Sequence, residues 1–120
     1  MGALRDNDKV TRFQALMVLF LAAVLEAGGD ALIRAALRAP SAGYRAFLFA
    51  IGAGALFAYG CTVNAPPWDF GRLLGLYVVF FFVIAQVVSW VGFRQPPSLA
   101  VLAGGALIVA GGLIIALATP

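Results

Sequence analysis

The stretch Leu19–Pro40, LFLAAVLEAGGDALIRAALRAP, decides how this chain folds. It opens as an apolar helix, and then Glu26, Asp30 and Arg34 follow at intervals of four, with Arg38 one turn further. Residues four apart share a helix face, so two carboxylates and two guanidiniums form a ladder down one side. The run ends at Pro40, which lacks an N–H and cannot continue a helix.

Working outward, the whole chain has the same character. Its 120 residues are 63% hydrophobic and 11% charged, and its mean hydropathy is +1.02. Soluble domains carry about 25% charged residues, so this composition belongs to a membrane protein of one domain. Lys and Arg outnumber Asp and Glu by 8 to 5. The basic residues flank apolar runs and form no stripe, which argues against nucleic acid as a partner. There is no His, and the single Cys61 lies in an apolar run. An intrachain disulfide and a Cys/His metal site are therefore excluded, and no cofactor is expected. No phosphate-loop, nucleophile-elbow or zinc-protease motif occurs, so an enzyme is not expected.

A helix needs about 20 apolar residues to cross a bilayer. Four segments qualify: about 13–37, 44–63, 73–93 and 99–118. The breaks between them are RAPSAGYR, NAPPWDFGR and RQPPS, each stopped by proline. Tyr44, Trp68 and Trp90 fall near span ends, where amphipathic rings favour the interface. Ser98 is placed to cap the fourth helix. Residues 1–12 read as a polar, mobile tail ahead of a four-span membrane domain over residues 13–118. Arg5, Lys9 and Arg12 before an apolar core also fit a signal peptide, but Glu26 stands where small residues and a cleavage site belong.

With four spans, Arg5, Lys9, Arg12 and Arg72 lie on one side, and Arg34, Arg38, Arg45 and Arg94 on the other. Orientation follows the difference in Lys and Arg between the sides, and here there is none. Two readings stand: insertion in both orientations with antiparallel pairing, or an orientation set by the first helix or a partner.

Glu26 falls near mid-span, where a charged side chain costs about 2.5–3.5 kcal/mol on the insertion scale. It must be neutralised by a proton, paired with a cation or reached by water. Intramembrane acids mark functional sites by default, and a carboxylate able to exchange a proton for a cation is the minimum equipment of a coupled exporter. Asp30 and Arg34, nearer the boundary, have the order that favours an ion pair, and Asp30 also stands with Glu26 as a candidate proton or substrate site. In the third span Tyr77 is a candidate wall for a cationic site, or an interface tyrosine. Tyr59 in the second carries the same two readings. The fourth span repeats a glycine pair after seven residues, Gly104 and Gly105, then Gly111 and Gly112. Such a seam lets helices approach closely in lipid, either between two chains, as expected here, or within one.

Four short spans, an acid within LEAGGDAL and the tail SWVGFRQPPSLAVLAGGALIVAGGLIIAL resemble the small multidrug resistance family of the drug/metabolite transporter superfamily. Glu26 followed by Gly29 matches that family's first-helix acid. Gly104–Ile115 matches its fourth-helix pattern G-x-x-L-I-x-x-G-x-x-I-I. The resemblance covers about residues 14–118. It implies an antiparallel homodimer in a bacterial inner membrane, two acids sharing one central site, and exchange of protons for small or lipophilic cations. It gives Glu26 the proton and cation site, aligns Tyr77 with a third-helix aromatic and sets Tyr59 against one in the second. The departures are Leu74 in place of a second aromatic, Val79, Phe80 and Phe81 in place of a glycine hinge, the lack of a first-helix tryptophan, and the added Asp30 and Arg34. The charges and seam also fit other readings: a structural or accessory subunit of a larger membrane complex, or a flippase component for a lipid-linked anion held by Arg34 and Arg38.

Overall fold

The structure is a computed structural model that describes residues 2–118, with side chains described from Arg12 onward. The described residues form four helices and no strand: α1 (Gly2–Leu37), α2 (Ala42–Val63), α3 (Phe70–Phe93) and α4 (Leu99–Ala118). Each is long and apolar enough to cross a membrane, α1 through its portion Arg12–Leu37. The proline breaks fall where the sequence places them. The polar stretch expected as a tail instead continues α1 back to Gly2. Nothing between Ala3 and Ala27 is proline or glycine, so no residue there interrupts the helix. At about 1.5 Å per residue its 36 residues span about 54 Å, close to the 60 Å long axis of the molecule.

Three sets of contacts fix the topology. Gly29 of α1 meets Gly52 and Leu56 of α2, while Arg45 at the start of α2 reaches Ala36 and Leu37 of α1. The numbers rise on one helix as they fall on the other, so the pair is antiparallel. Between α1 and α3 both rise together: Glu26 meets Tyr77, and Arg34 meets Phe93. These two run parallel. Gly75, Val79 and Phe82 of α3 face Ile115, Gly112 and Gly105 of α4, antiparallel again. Thus α1 packs between α2 and α3, and α4 packs on α3.

The buried cluster is Leu19, Ala22 and Ala23 of α1 with Val63, Leu73 and Tyr77. The buried positions of α1 are mostly alanine, including Ala15, Ala27 and Ala36. That suits lipid, where helices associate by close backbone approach and not by escape from water. The large apolar side chains Phe13, Phe20, Phe57, Phe70, Leu107 and Leu117 point outward.

The turns are held by side chains. Ser41 Oγ accepts from Tyr44 N at 3.3 Å, and Ser98 Oγ accepts from Val101 N at 3.2 Å as expected. Arg45 donates from Nε to Ala36 O at 3.1 Å and from Nη2 to Leu37 O at 2.8 Å. These are carbonyls that a helix end leaves without partners. At the end of α3, Arg94 takes the left-handed conformation with φ 56°, and Gln95 N donates to Ser89 O at 3.0 Å.

Candidate functional site

Glu26 projects from α1 one turn beyond Ala22 and Ala23 and is partly buried. Tyr77 Oη donates to Glu26 Oε1 at 3.1 Å. The parallel run of α1 and α3 makes this contact possible, since it brings mid-α1 beside the first half of α3. Tyr77 is 4% exposed, which separates it from an interface tyrosine. Tyr59, on the antiparallel α2, tilts its ring against Tyr77 with centroids 5.6 Å apart. Phe81, one turn along α3, lies 6.3 Å from Tyr77 at an interplanar angle of 28°. A carboxylate from α1 is thus set beside aromatic rings from α2 and α3. The side-chain donors that reach it, Tyr77 and the neighbouring Tyr59, are both neutral.

A groove of about 260 Å³ lies between the C-terminal halves of α1 and α3, and Glu26 is not among the residues that line it. Ala27, Asp30 and Arg34 line one wall, and Phe81, Ser89 and Phe93 are on the other. Phe81 both packs on Tyr77 and lines the groove, so the groove and the aromatic cluster beside Glu26 share one ring. Ser89 Oγ donates to Gln95 O at 3.0 Å, tying the groove wall to the turn after α3.

The ladder expected from LEAGGDALIRAALR is present, but its pairing differs. Arg34 lies over the Phe93 ring, 5.3 Å from its centroid, and not on Asp30. An exposed contact of this kind contributes about 0.5–1 kcal/mol, comparable to the few tenths of an exposed ion pair on one helix. The aromatic partner wins at no great cost. Arg38 Nη1 donates to Arg34 O at 3.4 Å.

The glycine pairs divide. Gly105 and Gly112 are buried against α3, where a Cβ would overlap Phe82 and Val79. Gly104 and Gly111 have nothing within 4 Å of where a Cβ would stand. One member of each pair therefore packs within the chain, and the other leaves an open face. Leu74, where the resemblance calls for an aromatic, packs on the buried cluster. At the opposite end of α3, Arg72 lies 4.9 Å over Trp68 with its Nε buried and without a partner. Among the described residues no group of three His, Cys, Asp or Glu side chains forms.

Sequence reasoning missed the groove wall on α3. Phe81, Ala85, Ser89 and Phe93 recur at steps of four, the same spacing that exposed the α1 ladder, so the signal was there. It was hidden because only one of the four is polar.

No family model, no curated protein and no solved structure matches this chain.

Proposed function

We propose that this chain is a small proton-coupled membrane transporter, a divergent relative of the small multidrug resistance family. It exports small or lipophilic cations by competition between cation and proton at Glu26. The observation that carries this reading is the Tyr77–Glu26 hydrogen bond within an aromatic cluster that adjoins an open groove through Phe81. A partly buried carboxylate with a neutral partner still needs a positive charge, which a proton or a cation supplies. The partly buried rings of Tyr59 and Phe81 stand beside this cluster, and an aromatic face attracts a desolvated cation by about 2 kcal/mol.

Equal numbers of basic residues on the two sides support a bacterial inner-membrane homodimer of antiparallel, dual-topology copies. The groove lies along the C-terminal halves of α1 and α3, which end on one side. An inverted second copy presents an equivalent groove to the other side, and alternating between the two gives access in turn. The second reading is a non-transporting subunit or flippase component, favoured by the open Gly104–Gly111 face and by an Arg34 not joined to Asp30.

Proton release tests the first reading. Lightly buffered, detergent-purified protein near neutral pH is titrated with guanidinium and with a quaternary ammonium cation, beside Glu26→Gln. Release by the parent alone supports competition at Glu26. Silence from both proteins sinks it, and a co-purifying partner becomes the thing to look for.

A further inference from the structure

The wall of the groove holds two opposite charges that do not neutralise each other. Asp30 and Arg34 stand one turn apart on α1, both exposed and both lining the groove. Arg34 is turned away over Phe93 at 5.3 Å. Asp30 has no side-chain hydrogen bond among the described residues. Side chains at this spacing have Cβ atoms about 5–6 Å apart, close enough to meet, so the separation leaves both free to take a ligand. The volume of about 260 Å³ lies just under the roughly 300–1,000 Å³ of pockets for drug-sized ligands. It fits something smaller.

We propose that the Asp30–Arg34 groove is a binding subsite for a small zwitterion, with its ammonium at Asp30 and its anionic group at Arg34. The ligand lies along α1 with its cationic end directed inward. The guanidinium presents a planar fork suited to carboxylate or phosphate, and Phe81 and Phe93 cover the carbon chain between the charges. Matching both charges at once requires them to be several bonds apart, as in an ω-amino acid and unlike an α-amino acid. Phosphatidylethanolamine carries the same pair of charges on a lipid, so one chemistry has two sources. A lone cation leaves Arg34 unmatched, and a lone anion meets Asp30; either fills half the site. This deepens the transporter reading and rests on it only where the subsite is taken to feed Glu26.

The test is calorimetric titration of the protein in phosphatidylglycerol nanodiscs with γ-aminobutyrate, butylammonium and butyrate. γ-Aminobutyrate is expected to bind at least about tenfold tighter than either half, a difference that one added charged contact supplies. Arg34→Gln erases its advantage over butylammonium, and Arg34→Lys, which keeps the charge, retains part of it. Asp30→Asn erases its advantage over butyrate. An advantage present in phosphatidylglycerol but lost in phosphatidylethanolamine nanodiscs shows the lipid headgroup holding the same subsite. If γ-aminobutyrate binds the parent in phosphatidylglycerol no tighter than its better half, the subsite is overturned, without reliance on any variant folding. Proton release in the same titration reports on Glu26 separately. Release without zwitterion preference removes the subsite and leaves competition at Glu26 standing, and preference without release does the reverse.

Discussion

Replacing Gly29 by Ala tests the crossing that sets α2 against the carboxylate. A Cβ at Gly29 would stand 2.9 Å from Cγ and Cδ2 of Leu56 and 3.2 Å from the carbonyl oxygen of Gly52. At Gly28, its neighbour in sequence, a Cβ would have nothing within 4 Å. Both substitutions carry the same helix-propensity gain, about 1 kcal/mol in water and of whatever size it takes in lipid. In the difference between the variants that gain cancels. What remains is the overpacking cost, about 1–3 kcal/mol, or roughly a 5- to 150-fold difference in the folded-to-unfolded ratio. Leu56 can rotate aside, but a backbone carbonyl cannot move without moving α2. Adding Leu56→Ala to Gly29→Ala therefore recovers only part of the loss. The assay is reversible unfolding of both variants in mixed dodecylmaltoside and dodecyl sulfate micelles. Coincident unfolding curves for Gly28→Ala and Gly29→Ala would refute the crossing as described.

Two further changes probe the site and its frame. Tyr77→Phe removes the 3.1 Å bond to Glu26 while keeping the ring, so thermal unfolding is expected to show a loss of about 1–3 kcal/mol, the range for a bond to a charged or buried group. An unchanged midpoint would mean that Glu26 finds an equal partner elsewhere. Arg45→Met removes the donors at Ala36 O and Leu37 O, at about 1 kcal/mol for each bond. Hydrogen exchange is expected to quicken at the first turn of α2 and the last of α1, and uniform exchange would count against the clamp.

The apolar runs and their proline breaks made the four helices legible, because spanning length and helix stops are both local properties. Glu26 was legible for the same reason: a mid-span acid stands out against its own neighbours. Its partners were not, since Tyr59 and Tyr77 reach it only once α1 lies between α2 and α3. The expected Asp30–Arg34 pair shows the limit of local reasoning. The spacing permitted it, but a ring from α3, 59 positions away in sequence, offered the guanidinium a comparable contact. The seam of α4 shows another. Adjacent glycines point about 100° apart on a helix, so each pair had to serve two surfaces, and only the packing of α3 revealed which one was internal.

The clamp between α1 and α2 also orders events during synthesis. Arg45, Gly52 and Leu56 all lie within the first 63 residues, so the first hairpin has its fastenings before α3 is made. Tyr77 emerges 14 residues after Val63, about one to three seconds later at roughly 5–20 residues per second. For that interval Glu26 sits in a hairpin that holds Tyr59 but not yet Tyr77. The ribosome thus sets a short window in which the acid is in place before its donor from α3.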